Sequence, residues 1–324
     1  MDILNILSYS RSHGSIGESL FIYEYLQKTI VDLGYSYVID PAGNHWVEVG
    51  KPKDYPYLFA CHIDTVHKAD GTVLTTNYTA NGRQYIGLAN KRMGCLGADD
   101  GVGIYLSLKM MAAGVKGTYV FIRGEEKGLI GAEYISTHMK EKLSQFLMCI
   151  EVDRQGTDEI IIEQAMGKCA STEFAEALAN SLDMGHRVSY NGIYTDNSLF
   201  TGYIPECVNI AAGYDRQHTD KERLDMTYLN KLAEAIVKVE WGKLPIKRQT
   251  WDYGDLYETK YSLSLGTGTD DHQYEGYMSY RKNPEYQELD DYVWQKAGRV
   301  VEYLYDLGVT VADIEAHFSD DIPF

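Results

Sequence analysis

The sequence predicts an α/β fold, a mostly parallel central sheet sandwiched by helices, followed by a C-terminal appendage. Three observations carry that prediction. Apolar strand-like runs alternate with helical segments along the first 240 or so residues. Runs such as Tyr57–Ile63 (YLFACHI) are apolar throughout, as strands buried on both faces are. Acids and histidines gather at the ends of these runs, where open α/β sheets build their sites. The 324 residues are enough to bury a substantial core.

Taken in order, residues 15–33 (SIGESLFIYEYLQKTIVDL) space Leu20, Ile22, Tyr23, Leu26, Ile30 and Leu33 as one helical face. Ser15 and Glu18 make a capping box and Gly34 ends the helix. DPAGNHW is a turn into a strand over His45–Val49, Tyr57–Ile63 is the next strand, and a hairpin turns around Ala80–Gly82. A helix over Gly101–Ala113, a strand over Thr118–Ile122, a helix over Leu129–His138 and a strand over Phe146–Val152 follow. Strands near Glu159–Glu163 and Cys207–Ala211 and helices over Thr172–Leu182 and Thr227–Trp241 extend the alternation.

After Trp241 the character changes. GKLPIKRQ reads as a linker, so the expected division is an α/β domain over residues 1–244, without an inserted domain, and an acidic, tyrosine-rich extension over 245–324. The extension's clearest element is a helix over Tyr286–Asp306. Residues 251–324 hold 16 acids against 5 bases, so −11 of the net charge of −17 lies there. Such a balance disfavours nucleic acid or anionic lipid as a partner. No apolar run reaches the length of a membrane span, and the first residues lack a basic region followed by a long apolar core, so the expected location is cytoplasmic. Five cysteines without C-x-x-C spacing argue against a disulfide framework or a zinc knuckle.

Candidate metal ligands stand at strand ends. His62 and Asp64 close YLFACHID with both side chains on one face. A neutral imidazole suits zinc, and a carboxylate one pleat away can hold its second N–H. Gly97–Gly101 (GADDG) puts Asp99 and Asp100 in a glycine-flanked loop, where either also reads as a helix N-cap. FIRGEEKGLIGA sets Glu125 and Glu126 side by side at a strand end, a pair that alone reads equally well as a solvated turn. Asp153 ends CIEVD, and His218 lies in YDRQHTD. Each is weak singly. The ordered series His, Asp, Glu-Glu, Asp, His points to a metal centre.

That series, His62-x-Asp64, Gly97-Ala-Asp-Asp, Glu125-Glu126-x-Gly128-Leu129-x-Gly131-Ala132, Asp153 and His218, resembles the co-catalytic di-zinc exopeptidases. This clan holds bacterial leucyl aminopeptidases, tetrahedral aminopeptidases, peptidase T and carboxypeptidase-G-like enzymes. The resemblance implies their phosphorylase/hydrolase-like fold, with Asp99 bridging two divalent ions, His62 and Asp153 completing one site, and Glu126 and His218 the other. It makes Glu125 the general base, Asp64 the partner of His62, and the Asp99–Asp100 bond one that is often cis. Zinc is the expected metal, with manganese or cobalt as alternatives. Intervals of 37 residues from His62 to Asp99 and 65 from Asp153 to His218 leave no room for the inserted domain of two-domain relatives. TDNSLF (Thr195–Phe200) and HTDKERLD (His218–Asp225) are similar to the single-domain aminopeptidases, whereas HIDT is nearer the peptidase T branch.

The expected function is removal of N-terminal residues from peptides. Alternatives are a deacylase or carboxypeptidase acting on N-acyl amino acids or small peptides, and a metal-site protein without turnover. Substrate side chain and oligomeric state are left open. Tyr194 is a weaker candidate for contacting the reacting carbonyl, and Arg216 for holding a substrate carboxylate. Arg154 reads equally as a structural ion pair, His272 with Asp270 and Asp271 as an exposed loop, and Arg123 is an unexplained cation at a metal-facing strand end.

Overall fold

A computed structural model describes residues 2–165 and 167–250. The chain forms α1 (Ile3–Leu7), α2 (Ile16–Leu20), α3 (Gln27–Asp32), β1 (Tyr37–Ile39), β2 (His45–Val49), β3 (Tyr57–His62), β4 (Thr75–Ala80), β5 (Arg83–Leu88) and α4 (Ala98–Ala112). There follow β6 (Gly117–Ile122), α5 (Ile130–His138), α6 (Lys140–Leu143), β7 (Met148–Arg154), β8 (Glu159–Ile161), β9 (Glu163–Gln164), β10 (Gly167–Lys168) and α7 (Thr172–Leu182). The last are β11 (Arg187–Ser189), β12 (Glu206–Ala211), β13 (Tyr214–Asp215), β14 (Arg223–Asp225) and α8 (Met226–Ile236). The helix expected over Tyr286–Asp306, and residues 251–324 of the extension with it, lie outside the described residues.

The main sheet has the order β1-β2-β6-β3-β7-β12-β8-β11. Its centre, β6-β3-β7-β12, is parallel, as is the β8–β11 pair, whereas β1–β2, β2–β6 and β12–β8 are antiparallel. The sheet is therefore mixed, with its parallel part where the strands are most apolar. Both faces are covered. On β3, Phe59 and Cys61 join a core shared with α1, α4, α7 and α8, and Leu58 and Ala60 join a second core with α5, Phe200 and Ile204. Side chains alternate in direction along a strand, so an unbroken apolar run serves both layers.

A second, antiparallel sheet, β13-β14-β5-β4, carries the loop holding His218. Its β4–β5 hairpin turns through Asn81 and Gly82, both at positive φ (50° and 73°), the pairing that a two-residue turn with right-handed strand twist requires.

The helix expected over 15–33 forms, but not as one regular spiral. Between α2 and α3 runs a π-helical turn, Phe21–Leu26. The wider turn rotates the buried face: Phe21, Ile22, Leu26 and Ile30 enter the core while Leu20 and Tyr23 are exposed. Ser15 Oγ accepts from Glu18 N, and the Glu18 carboxylate reaches back to Gly14 N rather than Ser15 N. All five cysteines are free and buried. Among the described residues no helix is long and apolar enough to cross a membrane.

Candidate active site

β3 lies between β6 and β7 and runs parallel to both, so the carboxyl ends of the three strands open on one rim. His62 ends β3, the turn Gly124–Glu126 follows β6, and Asp153 is near the end of β7. Asp99 enters from the start of α4 and His218 from the loop between β13 and β14. All five expected donors converge. His62 Nε2 lies 3.0 Å from Asp99 Oδ1 and 3.6 Å from Asp153 Oδ1. His218 Nε2 lies 3.2 Å from Asp99 Oδ2 and 2.8 Å from Glu126 Oε1. Asp99 therefore offers one oxygen to each half of the cluster.

Asp99 and Asp100 separate into two roles, with a cis peptide bond between them. Asp100 Oδ1 accepts from Gly103 N at 2.8 Å and its Oδ2 from His62 N at 3.3 Å, so it caps α4 and ties it to β3. The N-cap reading thus belongs to Asp100, and the site reading to Asp99.

For Asp64 the structure differs from expectation. The second ring nitrogen of His62, Nδ1, is bound by the backbone carbonyl of Asp64 at 2.9 Å, and the Asp64 carboxylate stands 3.9 Å away. Its oxygens instead accept from Gly124 N (2.7 Å), Glu125 N (3.1 Å) and Glu126 N (3.2 Å). Three successive amides after β6 outcompete one imidazole N–H. Asp64 orients His62 through its main chain and holds the Glu-Glu turn through its side chain.

Donor atoms of Asp99, Glu126 and His218 lie within 4.8 Å of one another, as do those of His62, Asp100 and Asp153. Glu126 Oε1 is buried beside His218 yet takes no well-formed hydrogen bond. Burial and then the Asp99 carboxylate raise Asp153 to about 6. Burial, with Asp153, Glu126 and Asp99 adding to it and His62 opposing it, pushes Glu125 to about 8. Asp99 and then Glu126 lift His218 to about 10. Burial alone would lower His62, but Asp153 and Asp99 outweigh it and raise it well above its ordinary value. The cluster thus carries more negative charge than its own side chains can neutralise, which is the condition a pair of dications satisfies. The residues fit divalent metal.

Several supporting residues have roles that the sequence does not assign, although Thr195 lies in TDNSLF and Glu222 in HTDKERLD. The Tyr214 hydroxyl donates to Asp153, lying 2.9 Å from its Oδ1, and Thr195 Oγ1 stands between Asp153 Oδ2 (3.0 Å) and Glu151 Oε2 (2.9 Å). Asn44 Oδ1 accepts from Arg123 N at 2.9 Å and its amide donates to Gly131 O, so the DPAGN turn braces both ends of the Glu-Glu turn. Arg11, wholly buried, donates to the carbonyls of Ile63, Ile6 and Gly97 from beneath the site. Glu222, also buried, accepts from four successive amides, Leu96 to Asp99.

The Arg123 side chain grips Glu18, Nη2 to Oε2 at 2.6 Å and Nε to Oε1 at 3.0 Å, and so serves a structural ion pair. Arg154 pairs with Glu159 at 2.9 Å. Arg216 is exposed near Asp215, and Tyr194 is exposed. His272, Asp270 and Asp271 lie outside the described residues.

The model of peptidase family M28 matches residues 45–236. No curated protein sequence matches the chain. Among solved structures, the aminopeptidase PepT from Bacillus cereus is similar, with a TM-score of 0.57 and 17% identity over 73% of this chain and 95% of that one. A tripeptidase from Staphylococcus aureus gives a TM-score of 0.58 at 16% identity, with the same coverage of 73% and 95%. The TET1 peptidase of Pyrococcus horikoshii gives 0.51 at 16% identity, over 67% of this chain and 92% of that one. The fold is thus shared well beyond detectable sequence likeness, and the resemblance read from the strand-end series is borne out. With one family's model spanning more than half of the residues and every candidate donor, the chain belongs to peptidase family M28 and is a metal-dependent peptidase.

Proposed function

We propose that the chain is an aminopeptidase whose site takes two divalent ions, one held by His62 and Asp153, the other by Glu126 and His218, with Asp99 shared. The observation that carries the proposal is the division of the Asp99 carboxylate, one oxygen 3.0 Å from His62 and the other 3.2 Å from His218. Mixed nitrogen and oxygen donors suit zinc, with manganese or cobalt as alternatives. When bound, such a pair of ions supplies Lewis acidity and a water whose pKa falls from about 15.7 towards 7.

The chain's own residues do the rest. Asp64 locks three amides of the Gly124–Glu126 turn, so Glu126 is fixed on the His218 side and Glu125 on the His62 side of one turn. Glu125 takes the proton from the attacking water on a carboxylate oxygen and passes it to the leaving nitrogen.

The similar structures, an aminopeptidase and a tripeptidase, support cleavage at the N-terminal end of a peptide over hydrolysis of an N-acyl amino acid. We assign the hydrolase unit to residues 1–244.

Replacement Glu125→Ala should cut turnover by about 10²–10⁴-fold while leaving about two ions per chain. An unchanged rate would remove Glu125 as the base. Aminoacyl anilides should be cleaved and N-acyl amino acids spared; the reverse pattern would make the enzyme a deacylase.

A further inference from the structure

Glu222 sits in the loop between β13 and β14, four residues after His218, and its side chain belongs neither to the donors nor to the base. It is 1% exposed. Its Oε2 accepts from Leu96 N (2.7 Å) and Gly97 N (3.1 Å), and its Oε1 from Ala98 N (2.8 Å) and Asp99 N (3.1 Å). Four consecutive amides turn towards one carboxylate because Gly97 takes a left-handed conformation, φ 78°. A run of amides aimed at one point is an anion-binding nest. Here the chain fills its own nest, with a carboxylate supplied by the loop that carries His218.

We propose that Glu222 is a positioning residue that sets Asp99 against His218, and so fixes the affinity of the Asp99, Glu126 and His218 half of the site. The proposal rests on the two-ion reading above. The two halves are anchored differently. His62 and Asp153 stand on adjacent sheet strands, with Asp64 O on His62 Nδ1 and Tyr214 and Thr195 on Asp153. His218 has no such strand beneath it: it lies in a long loop at positive φ (62°) between two short strands, and is half exposed. What ties that loop to the bridging residue is the four-amide contact of Glu222. Within the loop, Glu222 N donates to Thr219 O at 3.1 Å and Thr219 Oγ1 to Arg216 O at 2.7 Å, so the segment from Arg216 to Glu222 is closed on itself. A displacement of the carboxylate therefore carries His218 with it.

Replacement Glu222→Gln keeps the shape but removes the charge and sets an NH₂ group against amide donors, which costs two of the four contacts. Arg11 still holds Gly97 O from the opposite side, so the loop stays in place while its aim changes. The expected loss is asymmetric.

Apo protein titrated with zinc against a competing chelator separates the cases. The wild type should bind two ions; if it binds none, the two-ion reading fails and no variant is needed to show it. With two ions bound by the wild type, Glu222→Gln should bind the first within threefold of wild type and the second about 10–100-fold more weakly. At limiting zinc its kcat should fall with KM within twofold, and excess zinc should restore it. Two affinities both within threefold of wild type, or both falling together with Tm, overturn the proposal. Should Glu222→Gln not fold, Glu222→Asp, which keeps the charge but is one methylene short, is read in the same way. Failure of both to fold makes Glu222 a folding determinant and overturns it as well.

Discussion

Arg123 and Glu18 show what a single residue's surroundings decide. In the sequence Arg123 stands beside two metal-facing glutamates, and nothing in the local pattern says where its side chain goes. The structure sends it to a glutamate 105 positions earlier, whose side chain is 0% exposed. Burial alone would raise the Glu18 carboxyl, but the His13 ring 3.7 Å away and hydrogen bonds from Arg123 and Gly14 bring it down from 4.5 to about 2. Because the folded value is depressed, the stabilisation is complete above about pH 4.5 and is lost as pH falls through about 2. Arg123→Met leaves Glu18 buried without its cation and should destabilise by about 3 kcal/mol at pH 6. The gap between variant and wild type in urea melts should shrink steadily between pH 4.5 and 2. A gap that holds constant over that range would show that the pair is not the source. The candidate donors were legible as an ordered series of acids and histidines, only some of which stand at strand ends, while Asp99 enters from α4 and His218 from a loop. The roles of the holders of those donors, Arg11, Glu222 and Asn44, were not legible, although Glu222 lies in HTDKERLD, because each acts on backbone groups whose positions local sequence does not specify.

At the scale of elements, strands β2, β3 and β6 and helices α5 and α7 lie within a residue or two of where their patterns place them. Elements of two or three residues, β1, β11, β13 and β14, are too short to show a period, and two of them bear the loop with His218. The π-turn was equally invisible, since a widened turn changes the face without changing composition. Between β6 and α5 the chain is tightly built. A Cβ on Gly131 would lie 2.2 Å from Asn44 Oδ1 and 2.5 Å from the carbonyl oxygen of Arg123. Gly131→Ala must therefore push the start of α5 off the end of β6, at a cost of about 1–3 kcal/mol. It should also lower kcat/KM, because the displaced backbone carries Glu125 and Glu126. Melting curves and initial rates test this together; a variant with wild-type rates and Tm would mean that the turn absorbs the methyl group.

Over the whole molecule, the parallel centre of the sheet was readable from apolar runs, whereas its order and antiparallel flanks depend on pairings between distant segments that no local pattern encodes. The site concentrates buried acid: Asp100, Glu151 and Asp196 are all held well above the usual carboxylate range, first by burial and then, for each, by a neighbouring acid. Stripping the ions with a chelator should then leave repulsion uncompensated. Ions present at about 100 times their dissociation constant contribute about 2.7 kcal/mol each, so chelation should lower Tm by about 5–10 °C per ion. A Tm indifferent to chelator would exclude a structural contribution from metal. Finally, the buried guanidinium of Arg11 makes the first dozen residues the floor of the site, although the family match begins only at residue 45. A fragment trimmed to that match would keep every donor and lose the guanidinium that joins the end of β3 to the Asp99 loop. For protein engineering, the working boundary of this peptidase lies upstream of anything its chemistry names.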